Sequence, residues 1–159
     1  MGWNEENLKK IYNDDKIPEI KFTVERILTV EDLDDILTTA VESGREGIGY
    51  WAVLDNTTES WEKAKKQIKD SGADCYFGTI ITKILLNGDS IRLYDAEADE
   101  EDLQEDEIWY LDMNKFKEGC KIYEKERGSL VKSLEDGGFD AIEADCLIQY
   151  SVFGKLIFG

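Results

Sequence analysis

The stretch DAEADEEDLQEDE, Asp95 to Glu107, gathers the residue type with the most chemical options in this chain. Nine of its thirteen residues are carboxylates (Asp95, Glu97, Asp99, Glu100, Glu101, Asp102, Glu105, Asp106 and Glu107), and none is Lys or Arg. Carboxylates at this density can hold a divalent cation, act as acid–base pairs, or present negative charge to a cationic surface. The first option fits poorly. Asp95 to Asp106 puts acids at positions 1, 3, 5 and 12 of a calcium-type loop. Position 6, where such a loop turns on glycine, is Glu100, and the flanks read as strands rather than helices.

Acid–base chemistry is no better marked. Acid pairs abound, so no single pair is informative, and Asp34–Asp35 and Glu143–Asp145 read as charges near helix N-termini. The chain has no histidine, which removes His-based triads, HExxH sites and zinc–histidine ligation. Neither a P-loop nor a Gly-x-Ser-x-Gly elbow is present. The expectation is a protein that is not an enzyme, with no cofactor and no metal. The third option remains: fixed carboxylates can stand in for phosphates in a groove whose Lys and Arg neutralise nucleic acid.

Composition points the same way. The 159 residues suit one domain with a sizeable core. Thirty-six acidic residues against nineteen basic ones give a formal net charge of -17. That exceeds the magnitude of about 2–8 that suffices for solubility of a small domain. It repels nucleic acid and anionic membranes and attracts basic surfaces. The predicted partner is therefore a basic nucleic-acid-binding protein, with no direct nucleic acid and no membrane contact. Cys75, Cys120 and Cys146 are odd in number and widely spaced, as expected of free thiols in a reducing cytoplasm. No segment has the apolar run of a signal peptide or a membrane span, so the expected location is cytoplasmic.

A second candidate contact is GIGYWAV, where Gly47 and Gly49 precede Tyr50 and Trp51. It reads either as a tight turn into a core strand or as an exposed aromatic patch of the kind that anchors interfaces. Trp51 and Trp109 are the predicted partner-binding aromatics beside the acidic run, with Asp32, Asp34 and Asp35 as possible further carboxylates.

These residues must be positioned by a small α+β domain, residues 1–159. The expected architecture is an antiparallel sheet with about five helices packed around it. Helical spacing marks Trp3–Tyr12, and alternation in IKFTVERIL marks a strand through Ile20, Phe22 and Val24. Thr29, with Asp32 three residues on, caps a helix that Gly44 stops. Thr58 or Ser60 caps the next, with Trp61, Ala64 and Ile68 inward. Asn87–Gly88, between two β-rich runs, predicts a hairpin from CYFGTIITKILL into IRLYD. IWYLD pairs with IRLYD, leaving Asp95–Glu107 as the loop between antiparallel strands. Asn114 caps a helix to about Arg127, SLVKSLEDGG is a short helix, and Asp140 opens the last one. The apolar tail KLIFG docks on the domain.

Three patches together resemble a family of small acidic proteins encoded by bacteriophages and integrative elements of Firmicutes. VEDLDDILTTAVESGREGIGYW resembles a segment built on DDILxxALEGGIxYW. IRLYDAEADE, continued by WYLDMNKFKEGCKIY, is similar to LxLxDAExDExxxLxxxKFLxGIxxY. DAIEADCLIQYSVFGKLIFG resembles DAxxADxIIQYALFGExVFG. The likeness covers roughly Ile27 to Gly159 and departs at Glu46–Gly47–Ile48, in the longer helical segment TTESWEKAKKQIKDSG, and in the EDLQED extension of the acidic run. It implies a mobile-element product in a bacterial cytoplasm and carries over no catalytic residue. With the charge, it raises the expectation of an inhibitor of a host defence enzyme that handles nucleic acid, of the anti-CRISPR or anti-restriction type. The alternatives are a non-inhibitory accessory protein of the element or a metal-dependent enzyme.

Overall fold

The structure is a computed structural model that describes residues 4–12, 15–21 and 25–159. The described residues form an α+β fold with seven α-helices and one three-stranded sheet. After α1 (Glu5–Tyr12), residues 15–21 and 25–29 form neither helix nor strand. The expected strand through Ile20 is therefore absent where the chain is described, and its Phe22–Val24 part lies outside the described residues.

Local rules set most boundaries. In α2 (Val30–Glu42) the Thr29 hydroxyl accepts from the Asp32 amide at 3.1 Å, and Asp32 accepts from the Thr29 amide at 2.9 Å. This reciprocal capping box satisfies amides that a helix start leaves free. Gly44 ends α2 at φ +58. Two short 3-10 turns, Gly44–Glu46 and Ile48–Tyr50, lead into β1 (Ala52–Leu54). Thr58 caps α3 (Glu59–Asp70), which buries Trp61, Ala64 and Ile68 as the spacing predicts. The last helices are α5 (Met113–Arg127), α6 (Leu130–Glu135) and α7 (Ala141–Phe153). The cap of α5 is Asp112, which accepts from the Lys115 amide at 2.8 Å, rather than the expected Asn114.

The predicted hairpin at Asn87–Gly88 is a helix end. Phe77–Leu86 is α4, buried through Ile80, Ile81, Thr82, Ile84 and Leu85 between α2 and α3. The Asp89 amide donates to the Ile84 carbonyl at 3.1 Å and the Gly88 amide to that of Leu85 at 3.0 Å. Gly88 has φ +80. This is a Schellman stop, which needs the same left-handed glycine that a hairpin turn does.

The strand after it, β2 (Ile91–Asp95), is the centre of the sheet, with order β1-β2-β3 and both pairings antiparallel. β1 pairs Val53 with Tyr94, and β3 (Ile108–Leu111) pairs Trp109 with Leu93. IWYLD thus pairs with IRLYD as its sequence predicts. α7 is the central helix, buried on all sides from Ala144 to Ser151 and flanked by α2 and α5. Its approach to α5 depends on Gly119: a Cβ there would lie 2.0 Å from Ser151 Oγ and 2.7 Å from the Ser151 backbone.

Candidate functional site

The acidic run joins β2 to β3 and is shaped by its own side chains. Asp95 closes one turn, its carboxylate accepting from the Glu97 amide at 2.9 Å while its carbonyl takes the Ala98 amide at 3.1 Å. Asp99 repeats the arrangement, with the Glu101 amide at 3.0 Å on its carboxylate and the Asp102 amide at 3.0 Å on its carbonyl. Gln104 and Glu107 then form a capping box around the 3-10 turn Glu105–Glu107. The Gln104 amide donates to Glu107 at 2.8 Å, and the Gln104 side chain donates to the Asp102 carbonyl at 3.0 Å. Tyr94 holds the loop to the sheet by donating to Glu100 at 2.6 Å. Burial and then this carboxylate partner push the Tyr94 phenol up to about 12.

Four of the predicted carboxylates, Asp95, Asp99, Glu100 and Glu107, therefore build the loop. The other five, Glu97, Glu101, Asp102, Glu105 and Asp106, are exposed. Among the described residues, no Lys or Arg forms an ion pair with any carboxylate of the run. The described residues also hold no cluster of three or more acids and thiols converging as metal ligands.

The aromatic predictions come together, one buried and one half-buried. Trp51 and Trp109 lie 5.7 Å apart between ring centroids and share a cluster with Phe153 and Phe158. Trp51 is 1% exposed, so it offers nothing to a partner, and the reading of it as an interface anchor is corrected. Trp109 is half-buried and packs on the same core. GIGYWAV is a turn into the core, and the cluster closes the base of the loop: the Ala96 amide donates to the Trp51 carbonyl at 3.0 Å. Asp32 is corrected too. Its carboxylate serves the α2 cap and pairs with Arg26 at 2.9 Å. The Thr29 amide first, with the Thr29 hydroxyl and Arg26, holds its carboxyl pKa below the usual carboxylate range against a smaller opposing effect of burial.

Sequence reasoning took Asp145, with Glu143, for a charge near a helix N-terminus, and the structure corrects this for Asp145, which is a buried acceptor. It is 7% exposed and accepts from Tyr50 Oη at 2.7 Å, Trp51 Nε1 at 2.7 Å and Gln149 Nε2 at 3.0 Å. Burial and then the Asp145 partner push the Tyr50 phenol up to about 12. Gln149, 1% exposed, turns to the tail and accepts from the Ile157 and Phe158 amides at 2.9 Å each. Phe158 stacks on Trp51 with 5.2 Å between centroids, so the tail docks as expected. The signal available was an acid inside the apolar run ADCLIQY, past the first helical turn. Cys146 is buried and Cys75 and Cys120 half-buried, and all three are free thiols. Burial pushes the Cys120 thiol up to about 12, which keeps it protonated and unreactive.

Comparison with known proteins finds no family model that matches the chain, and no significant match among curated proteins or solved structures. Among the described residues, no helix is long and apolar enough to cross a membrane.

Proposed function

We propose that this chain is a protein inhibitor from a mobile element. In this reading it presents the carboxylates of residues 95–107 to the basic, nucleic-acid-binding groove of a bacterial defence enzyme, of the anti-CRISPR or anti-restriction type. One observation carries it. Five exposed carboxylates without an ion-pair partner among the described residues sit on a loop whose shape is fixed by hydrogen bonds that four others accept. A preformed array loses little conformational freedom on docking, and cations of a phosphate-binding groove relieve the repulsion it carries. The net charge of -17 speeds encounter with such a surface. The likeness to phage and integrative-element proteins supplies the biological setting. Trp51, being buried, is not part of the site.

The test is capture from a nuclease-treated bacterial lysate, run in parallel with a variant carrying Glu97→Gln, Glu101→Gln, Asp102→Asn, Glu105→Gln and Asp106→Asn. The expected result is a basic nucleic-acid enzyme retained by the wild type, released by salt or duplex DNA, and not retained by the variant. Equal capture by the variant would remove the acidic loop from the mechanism and leave it a solvated turn.

A further inference from the structure

The large apolar side chains Leu8, Ile11, Tyr12, Ile17, Ile20 and Ile27 are all exposed and all lie on the arm ahead of α2. Leu8, Ile11 and Tyr12 share one face of α1, at i, i+3 and i+4, and α1 has no buried residue. A free helix shorter than about 12–15 residues is marginal in water, and α1 has eight. Its exposed ion pairs, Glu5–Lys9 and Glu6–Lys10, add little. The helix therefore needs a surface on which to bury its stripe, and one lies at the root of its own arm. A groove of about 350 Å³ between the start of α2 and the flank of α5 is lined by Leu28, Val30, Leu33, Leu86, Met113 and Phe116. Its walls are almost wholly apolar, and Val30 and Leu86 are 59% and 45% exposed.

We propose that α1 folds back on its own chain and seats Leu8, Ile11 and Tyr12 in this groove, so that the arm is a strap that closes an apolar face of the body. The root of the arm selects its own groove. Arg26 is held there by Asp32 at 2.9 Å and Glu135 at 3.4 Å, and Leu28, two residues on, already lines the groove. Residues 13–27 span up to about 50 Å when extended, several times the roughly 12 Å length of α1, so the helix can turn back onto it. A tether of this length holds α1 near its own groove at an effective concentration of roughly millimolar. A second copy at micromolar concentration does not match that, and a chain of net charge -17 repels its like. The contact itself is apolar. Glu6 and Lys10 lie opposite the stripe, so their pair stays in water when the strap is down.

Amide hydrogen exchange of the full chain at micromolar concentration reads this contact, since a free helix of this length exchanges near the unfolded-chain rate. The α1 amides are expected to exchange about tenfold or more slowly than that rate. Leu8→Asp with Ile11→Asp should remove the protection from one side of the contact. Val30→Glu with Leu86→Lys should remove it from the other. Both of those side chains are exposed, and the new charges suit the α2 start and the α4 end, so the body stays folded. Ile142→Asp, at an exposed position on α7, should leave the protection as it is. A benzophenone amino acid at Tyr12, in a mixture of isotope-labelled and unlabelled chains, is expected to crosslink to Met113 of the same chain. Exchange at the unfolded rate, or protection that survives the change at Val30 and Leu86, would overturn the proposal. So would crosslinks between labelled and unlabelled chains, which put a second copy in the groove.

Discussion

At the scale of single residues, Asp145 shows how an acid can organise a core. Among the described residues its carboxylate is the only acceptor for the indole of Trp51 and the phenol of Tyr50, at 2.7 Å each, and it shares the Gln149 amide that ties down the tail. Asp145→Ala leaves a buried N–H and O–H without partners, at a cost of about 2–4 kcal/mol. The expected consequence is a melting temperature lower by roughly 5–12 °C. Intrinsic fluorescence should also redden as Trp51 loosens; an unchanged melt would show the network to be dispensable. The phenols give a second expectation. Burial first, and then carboxylate partners, push Tyr50, Tyr94 and Tyr123 up to about 12, Tyr123 through Glu143. The fold prefers their neutral form, so this contribution is complete below the unfolded value near 10 and is lost as pH rises towards 12. Denaturant midpoints should fall over that window, with phenolate absorbance appearing together with unfolding rather than before it.

At the scale of elements, the sequence is legible where the physics is local. The Thr29–Asp32 box, the Thr58 and Asp140 caps and the inward stripe of α3 rest on residues close together in one helix, and the pairing of IRLYD with IWYLD joins neighbouring strands across one loop. It is illegible where two structures share a signal. Phe77–Leu86 is a short apolar run rich in isoleucine that is buried on nearly every side, so periodicity cannot separate helix from strand. Asn87–Gly88 then suits a Schellman stop as well as a hairpin. Asp145 was hidden for another reason: its partners Tyr50 and Trp51 lie more than ninety positions away, and no local pattern announces them. The α5–α7 contact is equally long-range, and it sets a sharp expectation. Alanine favours a helix interior over glycine by about 1 kcal/mol, yet a Cβ at Gly119 meets the Ser151 backbone at 2.7 Å. Backbone cannot rotate away, so Gly119→Ala should destabilise by about 1–3 kcal/mol in denaturant titration. Stabilisation would mean that the two helices part easily.

At the scale of the whole molecule, the question is why a chain of net charge -17 keeps nine carboxylates within thirteen residues. Loop construction accounts for Asp95, Asp99, Glu100 and Glu107, whose oxygens hold amides and the Tyr94 hydroxyl. It does not account for Glu97, Glu101, Asp102, Glu105 and Asp106, which are exposed and repel their neighbours. Neutralising those five moves the net charge from -17 to -12 and leaves every hydrogen bond of the loop in place. If repulsion is their main effect on the free protein, the neutral variant should melt higher than wild type in low salt, by roughly 1–4 °C. The gap should close in molar salt, where the screening length falls to about 3 Å. Thermal scans of both proteins at several ionic strengths decide it. A variant that melts higher yet captures no partner shows that the five acids are kept at a cost in stability for the sake of contact. A variant that melts lower shows instead that these carboxylates stabilise the loop, and the reason for their density is then structural.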